Sequence, residues 1–229
     1  MIPNCIFGFQ LVMKLKSLQN IFLGLHLAFT LLSPVFSFAQ AASKLTLHDI
    51  KKISTSMTFE GTLKQAIQWK EKEGVHVIIT SETGAHENKS FEHPNEGMDA
   101  QLYAYHYVVE DNQVVLLWKV TDYIKDCPVD IEARFIENTL QITDLNKDGI
   151  KEVWLMYVTV CHGDVSPLDM KIIMYEGGQK YAMRGQNRIK YSPKDFTGGE
   201  YKFDKAFTEG SALFRTFAKK LWQQHISGQ

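Results

Sequence analysis

Oxygen-bearing side chains fall at alternate positions in the stretch Asp144-Leu145-Asn146-Lys147-Asp148-Gly149-Ile150-Lys151-Glu152. A calcium ion takes about six to eight oxygen ligands at roughly 2.3–2.6 Å, and a loop of this spacing can wrap them around one ion. Asp144, Asn146, Asp148 and Glu152 would supply side-chain oxygen, and Ile150 its carbonyl. Gly149 takes a turn conformation that a side chain would strain. The loop is not an EF-hand, because the place of that loop's final bidentate Glu is held by Leu155. Lys147 and Lys151 lower the local negative charge. The competing reading is an Asx-rich hairpin turn, in which Asp and Asn bond their own backbone. The residues alone leave both open.

Other groupings carry less chemistry. His86, Glu87, Glu92 and His93 could offer nitrogen and oxygen to zinc. They lie in a polar loop from Gly84 to Asp99 with no regular element to aim them, so a solvated loop is expected. Cys161-His162-Gly163-Asp164 could set a nucleophile beside a base. Cys127 is also present, however, and a disulfide between Cys127 and Cys161 is the stronger expectation, against two separate buried thiols. Ser81-Glu82-Thr83-Gly84 lacks the glycines of a nucleophile elbow, and no glycine-rich phosphate loop occurs. The acidic residues are too scattered to choose a pair for glycoside hydrolysis. No catalytic residue is assigned, and a non-enzymatic role is favoured.

The elements that must position these residues are mostly short strands. Leu63 to Trp69 alternates in polarity, and Lys70-Glu71-Lys72-Glu73-Gly74 leads into Val75 to Thr80. This predicts a β-hairpin with Gly74 at positive φ; a helix over 62–73 is the rival. Gln101–Val109 and Gln113–Thr121 predict a second hairpin around Glu110-Asp111-Asn112. Further strands are expected at 130–135, 140–143, 152–160, 170–175 and 180–184, the last two joined through Glu176-Gly177-Gly178-Gln179. Phe207, Ser211, Phe214, Phe217, Ala218 and Leu221 then recur at helical spacing, which predicts an amphipathic helix over about 205–226. The fold expected is mainly β (α+β): an antiparallel β-meander with a C-terminal amphipathic helix, in one domain over residues 40–229.

The start of the chain reads differently. Lys14 and Lys16 precede an uncharged apolar run from Ile21 to Phe38, followed by Ser37-Phe38-Ala39-Gln40-Ala41-Ala42. A basic head, an apolar middle and small residues make an export signal over 1–39, cut after Ala39 or Ala41, with Met13 as the better translation start. An uncleaved anchor is the alternative, and no later stretch is long and apolar enough to span a bilayer. The 229 residues are 45% hydrophobic and 22% charged, with a net charge of −1, as expected of one globular domain. Without a clustered basic excess, nucleic acid is not the expected partner. Export puts the two remaining cysteines in an oxidising place, at the periplasm or cell surface, where a disulfide is stable.

Two resemblances bear on this reading. The strand–acidic loop–strand unit around Asp144–Glu152 resembles the calcium loops of FG-GAP and similar β-repeat domains, though it occurs once here. More widely, Ile142-Thr143-Asp144-Leu145-Asn146-Lys147-Asp148-Gly149, Glu152-Val153-Trp154, Cys161, Gly163-Asp164-Val165-Ser166-Pro167 and Met170 to Gly177 are similar to a family of small exported envelope proteins labelled surface polysaccharide biosynthesis proteins. Phe59-Glu60-Gly61, Trp69 and Gly74 fit the same pattern. The resemblance implies support of lipopolysaccharide synthesis or presentation by a binding module for glycan or an envelope protein. It brings no catalytic residues. The alternatives are an envelope carbohydrate-active enzyme and a calcium-stabilised adhesion or inhibitor module.

Overall fold

The computed structural model describes residues 42–111 and 113–227. The export segment expected over 1–39 and both cleavage points lie outside them. Five antiparallel strands form a first sheet in chain order: β1 (Ser43–Leu45), β2 (Thr62–Glu71), β3 (Gly74–Glu82), β4 (Met98–Glu110) and β5 (Gln113–Cys127). A second antiparallel sheet contains β6 (Ile131–Phe135), β7 (Gln141–Thr143), β8 (Glu152–Cys161), β9 (Asp169–Glu176) and β10 (Gln179–Gln186). A ribbon of β11 (Arg188–Lys190) and β12 (Phe196–Gly198) follows, and β13 (Tyr201–Phe203) returns to the second sheet beside β10. The expected hairpins form, with Gly74 at φ 130° and Asp111 at φ 46° in their turns. The helix considered over 62–73 is strand and turn.

Alternation along the strands explains the layering, because successive side chains point to opposite faces. One set packs the sheets together: Ile67, Ile78, Leu102 and Val120 against Val153, Leu155 and Ile173. Trp118 of β5 stacks on Tyr175 of β9, with centroids 4.2 Å apart and planes 12° from parallel. The opposite set on the second sheet, including Trp154, Met156, Ile172 and Met183, is covered by α2 (Lys205–Glu209) and α3 (Ala212–His225). On the first sheet, Val77, Ile79, Tyr103 and Tyr105 pack with Ile50 of α1 (Leu47–Ile53).

The C-terminal helix expected over 205–226 is two helices. Gly210 ends α2, and Ser211 caps α3 by accepting from the Leu213 amide at 3.2 Å. Arg215 holds the break by donating to the carbonyls of Phe207, Thr208 and Gly210 at 2.7, 3.1 and 2.6 Å. These are the carbonyls a helix end leaves without partners. The helical period continues through the break because Phe207, Phe214, Ala218 and Leu221 face one core.

A disulfide joins Cys127, at the end of β5, to Cys161, at the end of β8, with Cα atoms 5.8 Å apart. It staples one sheet to the other. Closing a loop with a sequence separation of 34 restricts the unfolded chain by about 4 kcal/mol in the chain-entropy description.

Candidate functional site

The second sheet carries a row of cations in register. Lys171 of β9 lies opposite Arg184 of β10, and Arg184 lies opposite Lys202 of β13. All three share the strand face of Ile173 and Ala182, which turns toward the first sheet. Like charges directly opposite on neighbouring strands are unfavourable. Lys171 is relieved by Asp122 of β5, whose carboxylate lies 2.5 Å from Nζ and also accepts from the Tyr157 hydroxyl at 2.9 Å. Burial, followed by the Asp122 charge, pushes the Tyr157 hydroxyl well above the usual phenol range, so it stays a donor. Arg184 and Lys202 are exposed and have no ion-pair partner among the described residues.

These cations line a cleft of about 340 Å³ with Asp169, Gln186, Glu200 and Tyr201. Gly185 lets β10 and the approach to β13 come close, since a Cβ there would meet the Glu200 carbonyl. Cations suit a negatively charged ligand, while the carboxylates, the amide and the ring suit hydroxyls and apolar sugar faces. The three basic residues could not be grouped from the sequence. Lys171 reads there only as a polar position between Met170 and Ile172, and its neighbours depend on pairings set far along the chain.

The acidic loop occupies the connection between β7 and β8. Asp144 pairs with Lys151 at 3.2 Å, while its Oδ1 is buried with no hydrogen-bond partner. Asn146 donates to Asp148 at 2.9 Å and to Glu176 at 2.8 Å. Asp148 accepts from the Ile150 amide at 2.8 Å. Glu152 is fully buried and turns inward, accepting from the Thr143 hydroxyl at 2.6 Å and the Leu145 amide at 3.0 Å. Burial pushes the Glu152 carboxyl up despite those donors. Asp144, Asn146, Asp148 and Ile150 thus share one turn, whereas Glu152 is engaged beneath it, and the carboxylates of Asp144, Asp148 and Glu152 do not converge within 4.8 Å of one another. Gly149 has φ 88°, as a tight loop requires.

The polar loop from 84 to 99 is held by two buried carboxylates. Asp99 accepts from the amides of Asn88 and Asp126 and from His93 Nε2 at 2.7, 3.0 and 2.6 Å. Asp126 accepts from the Gly97 amide and from the amide and side chain of Asn95. His93 is therefore engaged by Asp99, His86 bonds the Gly84 carbonyl, and the two do not meet with Glu87 and Glu92 in a shared cluster. Cys161 is oxidised in the disulfide and is no nucleophile, and Ser81 is fully buried. Comparison with family models, with curated proteins and with solved structures returns no match.

Proposed function

We propose that this chain is an exported, non-catalytic envelope module that binds an anionic surface glycan in the cleft of Lys171, Arg184 and Lys202, in support of surface polysaccharide assembly or presentation. The observation that carries the reading is the cationic row itself, in direct cross-strand register, with Lys171 the one of the three that forms an ion pair among the described residues. An ordered arrangement of like charge has a cost that a bound anion reverses. The cleft's carboxylates and amide add acceptors and donors for hydroxyls, which a polyhydroxylated anion uses better than bare phosphate does. The disulfide fits an oxidising compartment outside the cytoplasm, and no helix among the described residues is long and apolar enough to cross a membrane.

Calcium in the 144–152 loop belongs to the same proposal as a structural ion. Its support is the buried Asp144 Oδ1, which has no hydrogen-bond partner, in the loop that also carries Asn146, Asp148 and Ile150.

The test is calorimetric titration of the exported chain with phosphorylated or uronate-containing oligosaccharides against neutral ones of equal length. The charged series should bind more tightly, with an affinity that falls as salt is raised. The double variant Arg184→Glu and Lys202→Glu should lose roughly tenfold or more, equivalent to about 1.4 kcal/mol. Lys171 is left in place because it holds Asp122. Equal binding of neutral and charged glycans, or unchanged affinity in the double variant, rejects the cleft.

A further inference from the structure

A second constellation sits where β2 turns into β3. Glu71 ends β2, Glu73 lies in the turn, and His76 is the third residue of β3. One ligand-capable atom from each lies within 4.8 Å of the other two, the sole such group of three among the described residues. The His76 side chain is 9% exposed, and its Nε2 is buried with no hydrogen-bond partner. That nitrogen lies 3.3 Å from Glu71 Oε2 without forming a hydrogen bond to it. Two ligands around a tetrahedral zinc ion, with bonds near 2.1 Å, stand about 3.4 Å apart.

The surroundings fix both inner groups. His76 stacks on Trp69, with centroids 5.0 Å apart and planes 25° from parallel. Its other nitrogen, Nδ1, is 2.9 Å from His106 Nε2. The Glu71 carboxylate is oriented by the Trp69 indole, which donates to Oε1 at 2.8 Å. This is the outer-shell arrangement that holds metal ligands in place: the far ring nitrogen bonded, the carboxylate steered, and the coordinating atoms left close together with no hydrogen bond between them. Glu73 is exposed on the turn and is the one ligand able to swing inward.

We propose that Glu71, Glu73 and His76 form a binding site for a zinc-type divalent cation at the turn between β2 and β3. One imidazole nitrogen and two carboxylate oxygens match a borderline ion, whereas calcium and magnesium prefer oxygen alone. Three protein ligands leave a fourth position for water on the solvent side. With the ion on Nε2, His76 carries its proton on Nδ1 and donates it to His106. The site clamps the end of the first sheet and is independent of the glycan cleft.

The test is calorimetric titration of the tag-free chain with Zn2+, with Ca2+ and Mg2+ as controls, joined to zinc-edge X-ray absorption. A single equivalent of zinc should bind, with one nitrogen and two carboxylate oxygens in its first shell. Glu73→Gln should weaken it by more than the roughly 10–100-fold that a lost outer-shell partner costs, without moving the melting temperature of the metal-free protein. That variant is decisive because His76→Gln alters a buried position and can unfold the chain. No saturable uptake at millimolar zinc, uptake unaffected by Glu73→Gln, or preference for calcium overturns the proposal and leaves a plain contact between His76 and Glu71.

Discussion

Two polar loops make opposite use of the carboxylates around them. Around the loop from 84 to 99, both oxygens of Asp99, on β4, and both of Asp126, on β5, are taken by amides, a side chain or a ring of the protein itself. In the loop from 144 to 152, Asp144 keeps a buried oxygen without a partner and shares its other with Lys151. The first loop is closed by its own backbone, and the second has acceptor capacity to spare. Buried acceptors are normally satisfied, so spare capacity, more than acidity, separates a structural loop from one that can hold a cation.

The largest expected effect comes from the anchor of the closed loop. Asp126 adjoins Cys127, so the disulfide fixes the strand end on which that loop hangs. Replacing Cys127 and Cys161 together by serine should lower unfolding free energy by about 4 kcal/mol, read by urea denaturation. Protease cleavage should then begin within 84–99 rather than 144–152; the reverse order would break the contrast.

Asp99→Asn should cost about 2 kcal/mol, because an amide group cannot accept as a carboxylate does from three donors. The pH dependence has a defined sign. Burial alone would push the Asp99 carboxyl up, but the amides of Asp126 and Asn88 and the His93 ring outweigh it and hold it below the usual carboxylate range. Asp126 is lowered by Gly97 and Asn95 in the same way. A lowered folded-state value stabilises the protein above the unfolded value, about 3.9, and that contribution is lost as pH falls through the folded value. Thermal melts between pH 7 and 3 should therefore show a shallower acid decline in Asp99→Asn than in the parent chain.

The smallest effect belongs to the open loop. Without calcium, Asp148→Asn should shift stability by less than about 0.5 kcal/mol, as is usual for a surface change. With calcium, the parent melting temperature should rise and the variant's should not. A parent chain indifferent to calcium would place this loop in the same class as 84–99.

Local pattern made much of the fold legible. Period-two alternation located both early hairpins, Gly74 marked its turn, and the helical spacing of Phe207, Phe214, Ala218 and Leu221 identified the core face through the break at Gly210. Division of the meander into two stacked sheets was not legible, because alternation says that a strand has two faces and not what covers each. The sites divide the same way. Asp144 to Glu152 lie within nine consecutive positions and stand out in the sequence. Lys171, Arg184 and Lys202 meet only through pairing among three strands, and the ordering of 84–99 depends on Asp126, far along the chain. Glu71 and Glu73 were visible in the turn before Gly74 and His76 in the strand after it, but the burial of His76 against Trp69 and His106 was not.

The bridge between β5 and β8 also ties together two layers that the chain supplies in succession. Cys127 belongs to one layer and Cys161 to the next, and in the folded protein their Cα atoms lie 5.8 Å apart, within the roughly 7 Å that a disulfide can span. Stacking of the layers presents the two thiols to each other, and once the bond is made the layers cannot part at that end.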